Sequence, residues 1–415
     1  MRAGGERPRR RRGFARSRGV PLVLKALVVL GTRPEAVKLA PLVMELRRRA
    51  DARAVVCATA QHREMLDQVL RIFEIAPDHD LDLMQADQRS EDVAAAAMRA
   101  VARVIDEERP DVVVVQGDTT TAMASSLAAF FRRTPVGHVE AGLRTGIRTS
   151  PFPEELMRRI VSQVAELHFA PTTRAAENLR RERADAEGAV FLTGNTVVDA
   201  VRWIAARPRA GAPFVRRASR LVLLTAHRRE NFGEPIREIC RAVRTLADRH
   251  PDLEVAYPVH LNPNIQGPVR ELLSGHERIH LLEPLDYASL VHLMEDAYLI
   301  LTDSGGLQEE APVFGKPVLV LRRDTERPEA IEAGTALLVG TDEAAIVANA
   351  ERLLEDEAAY RRMAQAQSPF GDGVAAKRIA DILVAWARRD LASVAPWRWT
   401  GSGRLEPYPG APVAR

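Results

Sequence analysis

Residues 297–330 read AYLILTDSGGLQEEAPVFGKPVLVLRRDTERPEA, an apolar run, a glycine pair and a helical run in immediate succession. Tyr298-Leu299-Ile300-Leu301 has the length and apolar character of a buried strand. Thr302-Asp303-Ser304-Gly305-Gly306 follows, and a helical run opens near Gln308-Glu309-Glu310. Strand, glycines, then helix is a place where an anion can sit, because glycine lets the backbone approach and the first helical N–H groups lack partners. The acidic residues behind the glycines suit a ligand that also presents hydroxyls, and Arg327 adds a fixed positive charge. Read alone, the same residues also describe an ordinary β-α turn with first-turn acids favouring the helix dipole. Asp-Ser-Gly-Gly also surrounds the nucleophile of serine proteases, but the alternating α/β setting of Ser304 argues against that chemistry.

Working outward, the same alternation runs in both directions. On the N-terminal side a strand over 23–30 ends at Gly31-Thr32-Arg33-Pro34-Glu35, and a helix follows with Val37, Leu39, Leu42, Val43 and Leu46 on its apolar face. Val112-Val113-Val114-Val115 reads as a central parallel strand buried on both faces. Asp118 stands at the end of that strand, Glu140 at the end of the next, and Glu154 in a proline-rich loop opening a helix. A second series starts at Leu221-Val222-Leu223-Leu224, with His227 at its end. Two such blocks predict an α/β protein with two Rossmann-like, doubly wound parallel sheets. The expected divisions are a disordered basic extension over 1–22, an N-terminal domain over 23–196 and a C-terminal domain over 197–373. A helix over 374–394 returns to the first domain, and a tail covers 395–415. Ligands bind outside the carboxyl ends of such strands, which places Arg33, Asp118, Glu140, His227 and Ser304 on one interdomain cleft.

Charge and cysteine content exclude several classes. The net charge of +3 arises from the first 18 residues, whose eight Arg and one Glu contribute +7 and leave the remainder at −4. The body therefore offers no basic surface for nucleic acid. Cys57 and Cys240 lack metal-ligand spacing and read as buried thiols of a reducing compartment. Arg9 to Arg12 before an apolar run loosely resemble a twin-arginine signal, but Lys25 interrupts the run and no small-residue cleavage site precedes Gly31. No run reaches membrane-spanning length. Asp78-His79-Asp80-Leu81-Asp82 suggests a metal loop at first glance, but no neighbouring segment completes a ligand set, and no metal is expected.

Arg33, His227, Arg327 and the amides of Ser304-Gly305-Gly306 could together hold a diphosphate. Asp118, Glu140 and Glu154 add three carboxylates, which facing a sugar suggest acid/base work or stabilisation of an oxocarbenium-like centre. Each has a plainer reading singly: Asp118 as a helix cap, Glu154 as a first-turn acid, His227 as a structural histidine.

The assembled series resembles a known family. Gly31-Thr32-Arg33-Pro34-Glu35, Gln116-Gly117-Asp118-Thr119-Thr120, His138-Val139-Glu140-Ala141-Gly142-Leu143-Arg144-Thr145-Gly146, Pro153-Glu154-Glu155, Gly194-Asn195-Thr196, His227-Arg228-Arg229-Glu230-Asn231, Asp303-Ser304-Gly305-Gly306 and Thr325-Glu326-Arg327-Pro328-Glu329 look like the non-hydrolysing UDP-N-acetylglucosamine 2-epimerases. The resemblance covers residues 25–391. It implies a GT-B-type fold and reversible conversion of UDP-N-acetylglucosamine to UDP-N-acetylmannosamine, by anti elimination of UDP to a 2-acetamidoglucal and re-addition. Carried over by motif, Asp118 and Glu154 are the acid/base pair, Glu140 binds the sugar, and His227 neutralises the leaving diphosphate. Arg33 and Lys38 line the cleft beside the phosphates. Ser304, Gly305 and Gly306 hold phosphate, Glu310 accepts the ribose hydroxyls and Arg327 adds charge.

Gln61, Arg228 and His260 match the second nucleotide-sugar site of regulated members. The segment 85–89 departs from their pattern unless Arg89 supplies the expected arginine. The resemblance implies no cofactor or metal, a cytoplasmic homodimer and a product destined for surface polysaccharide. Four alternatives stay open: a hydrolysing 2-epimerase, a relative acting on a 2,3-diacetamido sugar nucleotide, a GT-B glycosyltransferase and a silent nucleotide-sugar sensor. A sensor should lack at least one of Asp118, Glu140, Glu154 and His227, and all four are present.

Overall fold

The computed structural model describes residues 23–59, 63–83, 88–182, 189–209, 211, 213–394, 397–399 and 405–407. The basic extension over 1–22 and Gln61 lie outside the described residues.

Seven parallel strands make the first sheet: β1 (Leu24–Leu30), β2 (Ala52–Ala58), β3 (His79–Asp80), β4 (Val112–Gln116), β5 (Val136–Val139), β6 (Leu167–Ala170) and β7 (Ala189–Leu192). Their order is β3-β2-β1-β4-β5-β6-β7. Helices α1 (Arg33–Arg48), α2 (Arg63–Ile72), α3 (Ser90–Glu108), α4 (Thr120–Phe131), α5 (Glu154–Val164) and α6 (Thr173–Arg181) alternate with them, and α7 (Thr196–Ala205) follows β7. A second parallel sheet contains β8 (Arg220–Thr225), β9 (Leu253–Pro258), β10 (Ile279–Leu282), β11 (Leu299–Thr302), β12 (Val318–Val320) and β13 (Ala336–Leu338), in the order β10-β9-β8-β11-β12-β13. Helices α8 (Glu234–Arg249), α9 (Pro263–Leu273), α10 (Tyr287–Asp296), α11 (Gly305–Glu310), α12 (Pro328–Glu332), α13 (Glu343–Glu355) and α14 (Glu357–Ala364) belong to this half, and α15 (Ala375–Ala387) closes the fold.

Val112, Val113, Val114 and Val115 are completely buried, as expected for a central strand covered by helices on both faces. Along β8 the side chains alternate: Leu223 enters one apolar cluster, while Val222 and Leu224 enter another on the opposite face. The cluster containing Leu223 does not stop at the domain boundary. It runs through Val198 and Val201 of α7 and Ile379 and Leu383 of α15 to Leu30 and Val114 of the first sheet. Helix α15 therefore packs on α1 and α7, and Asp199 of α7 accepts from the amides of Ala375 and Ala376 at its start.

The composition beyond residue 394 reads as a tail, but part of it is folded. Strands β14 (Trp397–Trp399) and β15 (Leu405–Pro407) pair antiparallel. Arg378 lies 4.4 Å from the Trp397 ring centroid, and Leu405 is buried against Gly194. These partners are remote in sequence, which is why periodicity does not reveal the docking. The loop near residue 79 also has local employment: Asp78 accepts from the Val56 amide at 2.8 Å, and His79 Nε2 lies 2.8 Å from Glu108.

Candidate active site

The carboxyl ends of both sheets meet across one cleft, and each wall is built from short strand-to-helix turns. At the end of β1, Thr32 caps α1 while Glu35 folds back to accept from the amides of Gly31 and Thr32 at 3.0 and 2.8 Å. The other oxygen of Glu35 accepts from Thr119 Oγ1 at 2.6 Å, so one buried carboxylate ties the first strand end to the turn carrying Asp118. A β-carbon on Gly31 would collide with the hydroxyls of Thr59 and Thr121, which explains the glycine there. Beneath the same turn, His138 Nε2 donates to the carbonyl of Gly117 at 2.8 Å. Burial pushes the His138 imidazole down to about 3, so it serves as a neutral donor.

Arg158 ties Asp118 to the helix that Glu154 opens. Helix α5 begins at Glu154, and Arg158 sits one turn further along the same face. Arg158 donates through Nε at 3.0 Å and through Nη2 to Oδ2 of Asp118. Oε2 of Glu154 is buried and makes no hydrogen bond to the described residues.

Glu140 follows β5 with φ of 61°, in the left-handed region that an ordinary side chain rarely adopts. That turn aims its carboxylate at a dense network. Gln116 Nε2 donates to it at 2.9 Å and Asn195 Nδ2 at 3.4 Å, Lys38 pairs with it, and Arg327 Nη2 approaches to 3.9 Å. Burial alone would raise the Glu140 carboxyl, but Lys38 and Arg327 outweigh it and hold the group below the usual carboxylate range. Asn195 also donates to Glu309 at 2.6 Å, and Glu309 pairs with Arg327.

This wiring refines two expectations. Lys38 and Arg327 were expected as cations beside phosphate, whereas both are committed here to buried carboxylates. Arg33 has no ion pair among the described residues. Its charge is felt by both His227 and Glu310.

On the opposite wall, Asp303 is fully buried and its Oδ2 accepts from the amides of His227 and Arg228, each at 2.8 Å, and from Asn231 Nδ2 at 3.0 Å. That single carboxylate shapes the loop that presents His227. The His227 ring stacks with His260 at a 5.7 Å centroid separation, and Arg228 reaches the region of Gly305. The His227 side chain is 42% accessible, yet its imidazole is lowered from the usual value, first by desolvation from the surrounding loops and then by His260, Arg228 and Arg33, with Asp303 opposing. Ser304 begins α11, whose opening turn is Gly305 and Gly306. Glu310, at the other end of that helix, is buried, and its carboxyl is pushed up to about 7 by burial and by Glu309, against Lys38 and Arg33. Thus Arg228 and His260 lie beside His227 and the glycine turn, while Arg89 is exposed.

Sequence reasoning missed Arg158, Glu309 and the work of Glu35, Asp303 and Asn195. The i, i+4 spacing of Glu154 and Arg158 is the available signal for the first. The others depend on contacts between elements far apart in the chain.

Two Rossmann-like domains with a cleft at their carboxyl edges define a protein of the GT-B structural class. Residues 44–384 match the family model described as UDP-N-acetylglucosamine 2-epimerase, and the chain belongs to that family. It is 50% identical over 370 residues to the UDP-N-acetylglucosamine 2-epimerase of Yersinia pestis, a match covering 87% of this chain and 98% of that protein. It is 49% identical over 370 residues to that of Escherichia coli K12, with the same shares covered. The crystal structure of the Neisseria meningitidis UDP-GlcNAc 2-epimerase bound to UDP-GlcNAc superposes with a TM-score of 0.81 at 45% identity, covering 87% of this chain and all of that one.

Proposed function

We propose that this protein is a UDP-N-acetylglucosamine 2-epimerase of the non-hydrolysing kind. The observation that carries the reading is the division of the cleft. The turns after β4 and β5 and the start of α5 carry Asp118, Glu140 and Glu154, and the turns after β8 and β11 carry His227 and Ser304-Gly305-Gly306. A carboxylate wall opposite a diphosphate wall suits a reaction that moves a proton at the sugar while UDP leaves and returns.

In that reaction one of the pair Asp118 and Glu154 takes the proton from C2. The C2–H electron pair forms the C1=C2 bond, and the C1–O pair leaves with UDP, giving the 2-acetamidoglucal. Re-addition reverses these steps with the proton delivered to the other face of C2. The C2–H bond is a weak acid because no carbonyl adjoins it, so charge stabilisation on the departing UDP must lower much of the barrier. His227, Arg33 and the glycine turn provide that stabilisation, and Glu310 accepts the ribose hydroxyls. Arg228 and His260 extend the same wall and would hold a second nucleotide sugar. The product supplies precursors for surface polysaccharide. Pairing of two chains through the first domain is supported by Phe130 and Phe131 at the end of α4, both largely exposed.

Incubation of the protein with UDP-N-acetylglucosamine in D₂O, followed by NMR, tests the reading. Deuterium at C2 together with UDP-N-acetylmannosamine is the expected result. Free N-acetylmannosamine with stoichiometric UDP would establish the hydrolysing reaction instead, and no exchange would overturn both.

A further inference from the structure

We propose that Arg158 is a positioning residue for proton transfer: it holds one oxygen of Asp118 and leaves the other for the substrate. This inference rests on the epimerase reading and assigns a role to a residue that reading does not require.

The geometry is specific. When a guanidinium pairs with a carboxylate for strength, two N–H groups commonly engage two oxygens in parallel. Here both Nε, at 3.0 Å, and Nη2 converge on Oδ2 of Asp118. No described residue takes Oδ1. The two partners also differ in exposure, since the Arg158 side chain is 6% accessible and that of Asp118 is 28% accessible. The cation therefore lies behind the carboxylate, and the uncommitted oxygen is the one solvent or a ligand can reach.

Arg158 is itself fixed from the far side. Its Nη1 lies 3.4 Å from Oε2 of Glu155, a residue with no exposed surface. That same oxygen accepts from the Thr145 amide at 3.1 Å, and Oε1 accepts from Arg159 at 3.1 and 2.8 Å. A chain of contacts from the Thr145 loop through Glu155 to Arg158 thus sets where Asp118 points. Because Glu154 and Arg158 share one face of α5, the helix also fixes the separation of the two carboxylates that exchange protons with C2. The proton moves between C2 and Oδ1, and the guanidinium stays on Oδ2 throughout. A misplacement of about 1 Å in such a group costs on the order of 100-fold in rate.

A purely structural ion pair would tie α5 to the turn after β4 with no demand on which oxygen is bound, and the test separates the two roles. The full-length protein is compared with R158Q, R158K and R158G by C2 deuterium exchange in UDP-N-acetylglucosamine, with UDP affinity measured in parallel by calorimetry. R158Q is expected to lose exchange by about 100-fold, within the range for a misplaced acid/base group, while binding UDP unchanged. R158K keeps the charge but cannot fork, and falls between. Guanidinium added to R158G restores exchange. Exchange at the unaltered rate in R158Q overturns the proposal. So does a joint loss of exchange, UDP binding and native circular dichroism with no recovery by guanidinium, since that marks a scaffold role. If the unaltered protein shows no exchange, the epimerase reading fails first and takes this one with it.

Discussion

Replacing Glu310 with Gln perturbs a carboxyl that the fold holds in an unfavourable place. Its ionised form is opposed by burial and by Glu309, and the group titrates at about 7 instead of the ordinary 4.5. That rise corresponds to about 3 kcal/mol of differential interaction between the protonated and ionised forms, at 1.36 kcal/mol per pKa unit. The sign follows from proton counting. Between the two values the folded protein binds the proton that the unfolded chain has released, so stability falls as pH rises through this window and levels off above about 7. Below the unfolded value both states are protonated and no penalty exists. Gln cannot ionise, so Glu310→Gln should match the parent near pH 4.5 and exceed it by about 3 kcal/mol at pH 8. Urea denaturation of both proteins at pH 4.5, 6 and 8, followed by circular dichroism, measures the gap. Parallel stability profiles across that range would refute the reasoning, because they would mean the carboxyl ionises in the fold without cost.

Further outcomes follow from the same geometry. Asp118→Asn should abolish C2 exchange while leaving UDP binding intact, as read by D₂O NMR and calorimetry; exchange at the parent rate would remove Asp118 from the acid/base pair. Binding of UDP-N-acetylglucosamine should draw a proton onto His227, because a diphosphate offsets the Arg33, Arg228 and His260 interactions that lower its imidazole. Affinity then rises as pH falls through the usual histidine value of about 6.5, and calorimetry in buffers of different ionisation enthalpy reads the uptake. Undiminished uptake in His227→Asn would contradict this. Gly31→Ala forces a β-carbon onto the hydroxyls of Thr59 and Thr121, which lie 3.1 Å apart in the core. Overpacking of this kind costs about 1–3 kcal/mol, and an unchanged urea midpoint would show that the turn yields.

The two sheets were legible because their strands are short apolar runs bounded by polar turns, as at Val112 to Val115. The cleft residues were legible because they occupy strand ends. What periodicity could not show is partnership. Lys38 reads as a cleft cation, yet its ammonium is spent on Glu140, which lies a hundred residues away in the chain. Glu309 and Glu310 are adjacent in sequence, but one joins a charge network and the other is left with an unpaired oxygen. Trp397 and Leu405 find their places on Arg378 and Gly194, contacts without any local pattern. Arg158 was closest to being found, since a basic residue one turn after Glu154, a proposed acid/base residue, is a visible spacing.

The seam between the two halves has an electrical property of its own. Lys38 and Glu140 stand on the first half and cancel each other, and Glu309 and Arg327 stand on the second and do the same. The 3.9 Å approach of Arg327 to Glu140 and the amide of Asn195 join the two pairs, and Lys38 also feels the Glu309 carboxylate. If the halves part, neither surface is left with a bare buried ion, and the large cost of stranding a charge does not arise. At these two pairs the seam can therefore separate without stranding a buried charge and close again in register, with the Asn195 amide as the stitch between its edges.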